Sequence, residues 1–132
     1  MHNENIIKEF RENAGKVGGP FAGMNLLLIT IKGAKSGTLR TNPLAYSKDG
    51  DSYVVIASKG GADTNPDWYH NLTTNPNATI EVGTDKIDVV ASEAKGAERD
   101  RLYAAQAELY PGFKGYEQKT TRKIPVFVLK RT

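Results

Sequence analysis

Tight turns between short apolar runs constrain this chain more than any other feature of its sequence. Asp49-Gly50 and Gly83-Thr84-Asp85 each separate two such runs, and turns this short join antiparallel strands. Six short strands joined mainly by hairpins, with helices only at the crossings, predict a small antiparallel β-barrel of the mixed α+β class. The predicted strands are residues 25–32, 40–47, 52–57, 78–82, 86–91 and 123–130.

An N-terminal segment stands apart from this pattern. Residues 5–14 carry apolar side chains at helical spacing with charged ones opposite, which predicts a short amphipathic helix covering a barrel mouth or a partner subunit. Residues 15–23 are rich in glycine and are expected to form a mobile crossing. We therefore divide the chain into an N-terminal segment, residues 1–24, and a barrel domain, residues 25–132.

Two further helices are predicted inside the barrel domain. Asn65 can cap a helix and Pro66 suits its first position, so a helix should begin there, with Trp68 and Leu72 facing inward. Residues 98–109 also show helical periodicity, and Pro111-Gly112 should end that helix.

Composition excludes several kinds of site. The chain has no cysteine and only two histidines, which argues against disulfides, iron–sulfur clusters, thiol chemistry and a structural zinc site. A net charge of +3 favours a small anionic ligand over nucleic acid, which needs a denser basic face. Residues 26–29, the longest strongly apolar run, are too few to cross a membrane, and no signal peptide follows Met1. These features predict a cytoplasmic protein with no bound metal.

Two loops could hold an anionic ligand. Lys35, Ser36 and Arg40 surround a glycine-containing turn, where cations and free backbone amides can meet a phosphate, although the spacing is not that of a Walker motif. Residues 58–61, Ser-Lys-Gly-Gly, follow a predicted strand and offer a hydroxyl, a cation and an accessible backbone. Solvated lysines in plain turns are the alternative for both loops.

No catalytic constellation is evident from the residues alone. Ser58 has no histidine partner, because His70 is expected to face solvent on its helix. The sequence also shows no convincing pair of carboxylates for hydrolysis. An enzyme of this kind would take its chemistry from a cofactor, while the protein supplies position and electrostatics.

Three motifs carry a specific resemblance. In order along the chain, they are GAKSGTLRTNPLAY, ASKGGADTNPDWYHNL and ELYPGFKGY with TRKIPVFVL. From about Leu26 to the C-terminus the chain strongly resembles the deazaflavin (F420)-dependent nitroreductase family of actinobacteria, a branch of the split β-barrel flavin-binding proteins. The resemblance implies a split barrel that binds coenzyme F420 and transfers a hydride from the reduced deazaflavin to a quinone, enone or nitroaromatic acceptor.

The resemblance also implies site residues. Those for the phosphate and acidic tail of F420 are Lys35, Ser36 and Arg40. Those lining the deazaflavin are Asn42, Pro43, Ala57, Ser58, Lys59, Gly60 and Gly61, and Trp68 would pack beside it to complete the cofactor-binding set. The substrate would meet Ala45, Tyr110, Phe113 and Tyr116. The candidate catalytic residues are Tyr116 and Ser58, and the proton would come from Tyr116 or from water.

The sequence constrains the substrate less than it constrains the cofactor. Residues 110–116 have the composition of a mobile lid, although Tyr110 and Tyr116 could instead anchor the end of a helix against the barrel. Ala45 stands where an aromatic residue can enter the pocket, and Phe113 replaces a tyrosine seen in some relatives. We therefore expect quinones or enones to react faster than bicyclic nitroimidazoles.

Several alternatives stay open at this point. The same fold could bind FMN, or it could carry F420 without catalysis. A barrel that binds single-stranded nucleic acid is disfavoured, because the tyrosines cluster near the C-terminal loop instead of alternating with basic residues. A homodimer and peripheral membrane contact through the N-terminal helix are the remaining partner expectations.

Overall fold

Six antiparallel strands close into a barrel, as predicted. The structure, a computed structural model, describes residues 2–18 and 24–132, so part of the predicted crossing, residues 19–23, lies outside the described residues. The strands follow the order β1-β2-β3-β6-β5-β4 around the barrel, and each neighbouring pair is antiparallel. Their bounds are β1 Leu26–Lys32, β2 Leu39–Asp49, β3 Ser52–Ile56, β4 Asn77–Val82, β5 Asp85–Glu93 and β6 Val126–Arg131.

The helices lie at the ends and on the outside of the barrel. They are α1 His2–Glu12, α2 Asp67–Thr74, α3 Gly96–Leu109 and α4 Gly112–Lys119, and a short 3₁₀ turn spans Lys59–Gly61. Within the described ranges, no helix combines the length and apolar character needed to cross a lipid bilayer.

Helix α2 closes the barrel interior with two side chains. Trp68 and Leu72 are buried there, which confirms that both face inward. The Trp68 ring lies 5.9 Å from that of Phe127 on β6, centroid to centroid. Burying these apolar surfaces stabilises the fold and attaches α2 to the barrel. The start of α2 therefore has a definite position relative to the strand ends.

The outer face of β1 is covered by α1. Phe10 is buried against Leu26 and Leu28, while the inward-facing residues of β1 join the barrel core. Arg11 donates two hydrogen bonds to Glu81 on β4, at 3.0 and 2.8 Å. The apolar side of α1 thus packs against the barrel, the side that a membrane contact would have used.

Residues 110–116 do not form the predicted mobile lid. Gly112–Lys119 is helix α4, with Phe113 buried at its start. The Tyr103 hydroxyl on α3 donates a hydrogen bond to the Phe113 carbonyl. This burial and this hydrogen bond outweigh the low helix propensity of Gly112 and Gly115, which favoured a loop in the sequence.

Candidate functional site

Two loops emerge from the same end of the barrel. Strands β1 and β3 both run antiparallel to β2, so they point in one direction and their C-terminal ends meet the same rim. We call residues 33–40, which lead from β1 into the start of β2, the first loop. Residues 57–65, which follow β3, are the second loop. The topology brings together the two segments that the sequence singled out.

The first loop is shaped by its own short-range contacts. The Gly33 amide donates to the Thr38 carbonyl at 2.7 Å, and the Gly37 amide donates to the Gly33 carbonyl at 3.0 Å. A Cβ on Gly33 would lie 2.6 Å from Ser36 Oγ, so only glycine fits without a shift. The Ser36 hydroxyl is 2.8 Å from that of Thr38.

Helix α2 forms the opposite wall of a cleft beside the first loop. The cleft measures about 470 Å³ and is open to solvent. The Ala34 amide donates to Asn71 Oδ1 at 2.9 Å, which holds the loop against the helix. The residues that line this cleft are Gly33, Ala34, Lys35, Ser36, Arg40, Asp67, His70 and Asn71.

Charges in this cleft suit an anion. Lys35 and Arg40 are exposed, and neither side chain forms an ion pair or hydrogen bond within the described part of the chain. Asp67 adds one opposing carboxylate from α2. His70 is exposed, as expected, but it lines this cleft, a position that sequence reasoning did not assign to it. Two cations without protein partners remain available to a ligand phosphate or carboxylate.

The second loop has an unusual backbone. Lys59 adopts a φ of 48° and Gly61 a φ of 87°, both in the left-handed region. A Cβ on Gly61 would lie 3.1 Å from the Tyr116 carbonyl oxygen and 3.0 Å from Lys119 Cβ. Glycine is therefore needed at Gly61 for its backbone angle and for close packing against α4. Ser58, before the 3₁₀ turn, is buried.

Arg122, which sequence reasoning missed, binds the second loop. Its guanidinium donates to the carbonyls of Ala62 and Ser58, both at 2.8 Å, and of Ala57 at 3.2 Å. It also donates to Asn65 Oδ1 at 2.7 Å. Asn65 consequently does not cap α2, contrary to prediction, and Pro66 takes the capping position with no side-chain hydrogen bond. The only signal for Arg122 was its place in the third motif, TRKIPVFVL.

Strand β2 borders the space between the two loops. Its register with β3 covers only Tyr46–Asp49, whereas its register with β1 runs from Leu39 to Ala45. Asn42 and Pro43 therefore lie on a stretch of β2 without a β3 partner. A proline is tolerated at such a position, because the strand has no neighbour on one side.

The four predicted substrate residues converge on one cluster beside α4. Ala45, Tyr110 and Tyr116 pack against the buried apolar core that contains Phe113, and Met24, which the sequence did not suggest, packs against the same core. The rings of Phe113 and Tyr116 are 5.1 Å apart. The predicted site residues thus form three groups: the first loop, the second loop with the β2 edge, and this aromatic cluster.

The tyrosine hydroxyls near this cluster differ in their partners. Tyr110 Oη accepts from the Asn25 amide at 2.9 Å and donates to the Tyr46 carbonyl at 3.3 Å, so Tyr110 anchors the end of α3. Burial, together with the nearby Glu117 carboxylate, raises the pKa of Tyr103 to about 12. Tyr116 Oη has no hydrogen bond to any described residue. Of these three tyrosines, only Tyr116 keeps its hydroxyl available for a substrate.

Trp68 occupies a different place from the other site candidates. It is 6% exposed and packs inside the barrel core, as the first buried residue of α2. Its contact with the core sets the position of α2, and α2 in turn supplies Asp67, His70 and Asn71 to the cleft.

The comparisons with known proteins agree on one family. A family model described as F420H(2)-dependent quinone reductase matches residues 4–131. An F420H(2)-dependent quinone reductase of Mycobacterium tuberculosis (strain H37Rv) is 40% identical over 127 residues, which covers 92% of this chain and 85% of that protein.

Solved structures extend the similarity to the fold. The structure of an F420-H2 dependent reductase, FDR-A, matches with a TM-score of 0.75 and 37% identity, over 80% of this chain and 94% of that one. A structure described as a domain-swapped dimer matches with a TM-score of 0.77 and 33% identity, over 96% of this chain and 95% of that one.

Proposed function

The chain belongs to the F420H(2)-dependent quinone reductase family, and on that premise we propose that its three site groups bind reduced F420 and a quinone-like acceptor. It is an oxidoreductase of the split-barrel fold whose cofactor is coenzyme F420. Reduced F420, when bound, supplies a hydride. A quinone that takes up this hydride and one proton leaves as a hydroquinone.

One observation carries the cofactor assignment: two exposed cations, neither paired with any described residue, face one cleft. Lys35 and Arg40 are matched to the phosphate and the acidic tail of F420, with Ser36 as a further donor. Arg40 can grip a phosphate or carboxylate with two parallel hydrogen bonds, whereas Lys35 offers a compact charge. Asp67 on the opposite wall favours a ligand whose negative charges lie toward the loop.

The deazaflavin is assigned to the space between the second loop and the free stretch of β2. This assignment is supported by the lack of a β3 partner along this stretch of β2, which leaves its edge open toward the second loop. The residues proposed to line it are Asn42, Pro43, Ala57, Ser58, Lys59, Gly60 and Gly61. Trp68 is proposed to support this platform from the barrel core.

The acceptor is assigned to the aromatic cluster. Tyr116 is the proposed proton donor, since its hydroxyl has no described protein partner, and Ala45, Tyr110 and Phe113 would enclose the acceptor. Ser58 lies at the start of the second loop, and its hydroxyl makes no hydrogen bond to a described residue. We propose that Ser58 orients the reacting ring.

The acceptor range follows from the same residues. Ala45 leaves room in the cluster and Phe113 offers no hydroxyl, so quinones and enones should be reduced faster than bicyclic nitroimidazoles. Nitroaromatic compounds in general remain within the proposed range. The homodimer stays a prediction for this chain, which a measurement of its mass in solution would test.

A titration with F420 and FMN, followed by turnover assays, tests this function. We expect the absorbance of F420 to change on binding at physiological salt, with FMN binding more weakly. Reduced F420 should then be oxidised by a quinone, an enone and a bicyclic nitroimidazole in decreasing order of rate. Preference for FMN would overturn the cofactor assignment, and F420 binding without turnover would indicate a carrier.

A further inference from the structure

Arg122 makes an unusual set of contacts for a charged side chain. Its four hydrogen bonds, between 2.7 and 3.2 Å, go to three main-chain carbonyls and one side-chain amide oxygen. All four acceptors are uncharged, and no carboxylate pairs with Arg122 in the described ranges. The side chain is half-buried, between the second loop and the segment that leads from α4 to β6.

The second loop has few contacts of its own to hold its shape. Inside it, the Gly61 amide donates to the Ser58 carbonyl at 3.0 Å, and the Ala62 amide donates to the Lys59 carbonyl at 3.2 Å. Lys59 also adopts a left-handed φ of 48°, a backbone conformation that is unfavourable for a residue other than glycine. Such a backbone persists only where surrounding contacts impose it.

We propose that Arg122 is a positioning residue for the cofactor site. By binding the carbonyls of Ala57, Ser58 and Ala62 at once, it imposes the loop conformation that presents Ser58, Lys59 and the two glycines to the cofactor. A planar fork with five donors can satisfy acceptors in several directions, whereas a lysine ammonium cannot reach them together. This inference rests on the proposed function, because the loop is a cofactor platform only if F420 binds there.

Arg99 provides a matched comparison within the same part of the molecule. It is more deeply buried and donates twice to the Ile124 carbonyl, at 3.0 and 2.8 Å, but it also pairs with Glu117 and Asp100. Its described hydrogen bonds include none to the second loop. Arg99 therefore joins α3, α4 and the segment just before β6, which is a structural role without contact to the proposed platform.

The experiment compares Arg122→Lys with Arg99→Lys. Amide hydrogen exchange at Gly61 and Ala62 in the protein without cofactor reports the order of the loop, and an F420 titration reports the site. We expect Arg122→Lys to raise the exchange rates and the Kd for F420 by about tenfold or more, the effect of losing hydrogen bonds from a charged group. Arg99→Lys should lower the Tm more, with the Kd within about twofold of the parent.

A milder variant covers the case in which Arg122→Lys does not fold. Asn65→Ala removes one of the four acceptors and should raise the exchange rate at Ala62 by about threefold to tenfold, as expected for one net hydrogen bond. If the parent binds F420 and Arg122→Lys keeps its Kd and exchange rates, or Asn65→Ala keeps them where Arg122→Lys does not fold, the positioning role is refuted. If the parent fails to bind F420, the proposed function itself is wrong and the positioning role with it.

Discussion

The two loops at the barrel rim hold their shapes in opposite ways. The first loop is closed by hydrogen bonds between residues four or five apart, such as Gly33 to Thr38, and the charges of Lys35 and Arg40 have no partner in the part of the chain that the structure describes. The second loop holds two residues in left-handed conformations and takes four hydrogen bonds from Arg122, about 60 residues away in sequence.

Because of this difference, the first loop supplies charge to the proposed site, and the second loop supplies its shape. The first loop should contribute affinity through side chains, which substitutions can remove without harm to the fold. The second loop should contribute a backbone surface, which fails when its packing fails. Stability and cofactor binding should therefore be independent in the first loop and coupled in the second.

The largest effect is expected where the second loop touches α4. A side chain on Gly61 would meet the Tyr116 carbonyl and Lys119 in addition to its φ strain, so Gly61→Val should abolish F420 binding and Gly61→Ala should cost about 2–4 kcal/mol of unfolding free energy. Gly50→Ala is the matched control, because Gly50 has a φ of 60° and a Cβ added there would meet nothing within 4 Å. It should cost about 1–2 kcal/mol and leave binding intact. If denaturant melts show the same loss of unfolding free energy for Gly61→Ala and Gly50→Ala, packing against α4 does not contribute to the cost.

The second-largest effect is expected at Tyr116 on α4, the helix that packs against the second loop. Tyr116→Phe should lower kcat by roughly 10²-fold, as expected for a proton donor, with little change in Tm, because its hydroxyl has no described protein partner. Tyr110→Phe should instead lower the Tm and leave kcat near that of the parent. It loses two hydrogen bonds, which cost about 1–2 kcal/mol of unfolding free energy. Steady-state rates and melting curves of both variants decide between these roles. A Tyr116→Phe enzyme with parental kcat would exclude Tyr116 as the donor.

In the first loop, charge removal should affect binding alone. Lys35→Ala and Arg40→Ala should each weaken F420 binding roughly tenfold or more, the effect of one charge-assisted contact of about 1.5–3 kcal/mol. Both side chains are exposed, so the Tm should stay near that of the parent. Exposed Lys123, which lies outside this cleft, is a suitable control for the loss of charge. Unchanged affinity in both variants would show that the anion site lies elsewhere.

The smallest effect is expected from alkaline pH. The Tyr103 pKa is raised to about 12 from an ordinary value of 10.0, chiefly by burial. The unfolded chain therefore loses this proton first, and stability should fall by about 1–2 kcal/mol as the pH rises from 10 to 12. Tyr103→Phe should flatten this part of the pH profile in urea melts. If the parent and Tyr103→Phe show the same dependence of stability on pH, other groups cause the loss of stability.

Prediction from sequence succeeded where neighbours along the chain decide the outcome. The turns at Asp49-Gly50 and Gly83 and the inward direction of Trp68 and Leu72 follow from spacing and backbone preference. The prediction failed at α4, where a glycine-rich composition favoured a loop. Burial of Phe113 and the hydrogen bond from Tyr103 stabilise a helix there, and neither contact is visible in a window of sequence.

The sequence alone determined the antiparallel barrel, the basic first loop and, through its motifs, the F420-dependent family. Tertiary structure alone decided that His70 and Asp67 line the cleft and that Asn65 accepts from Arg122 instead of capping α2. It also decided that the Tyr116 hydroxyl has no hydrogen-bond partner among the described residues. The physical reason is the range of the interactions. Turn geometry and amphipathic spacing depend on residues a few positions apart, whereas a hydrogen-bond partner for a buried polar group is chosen by whichever chain segment packs beside it.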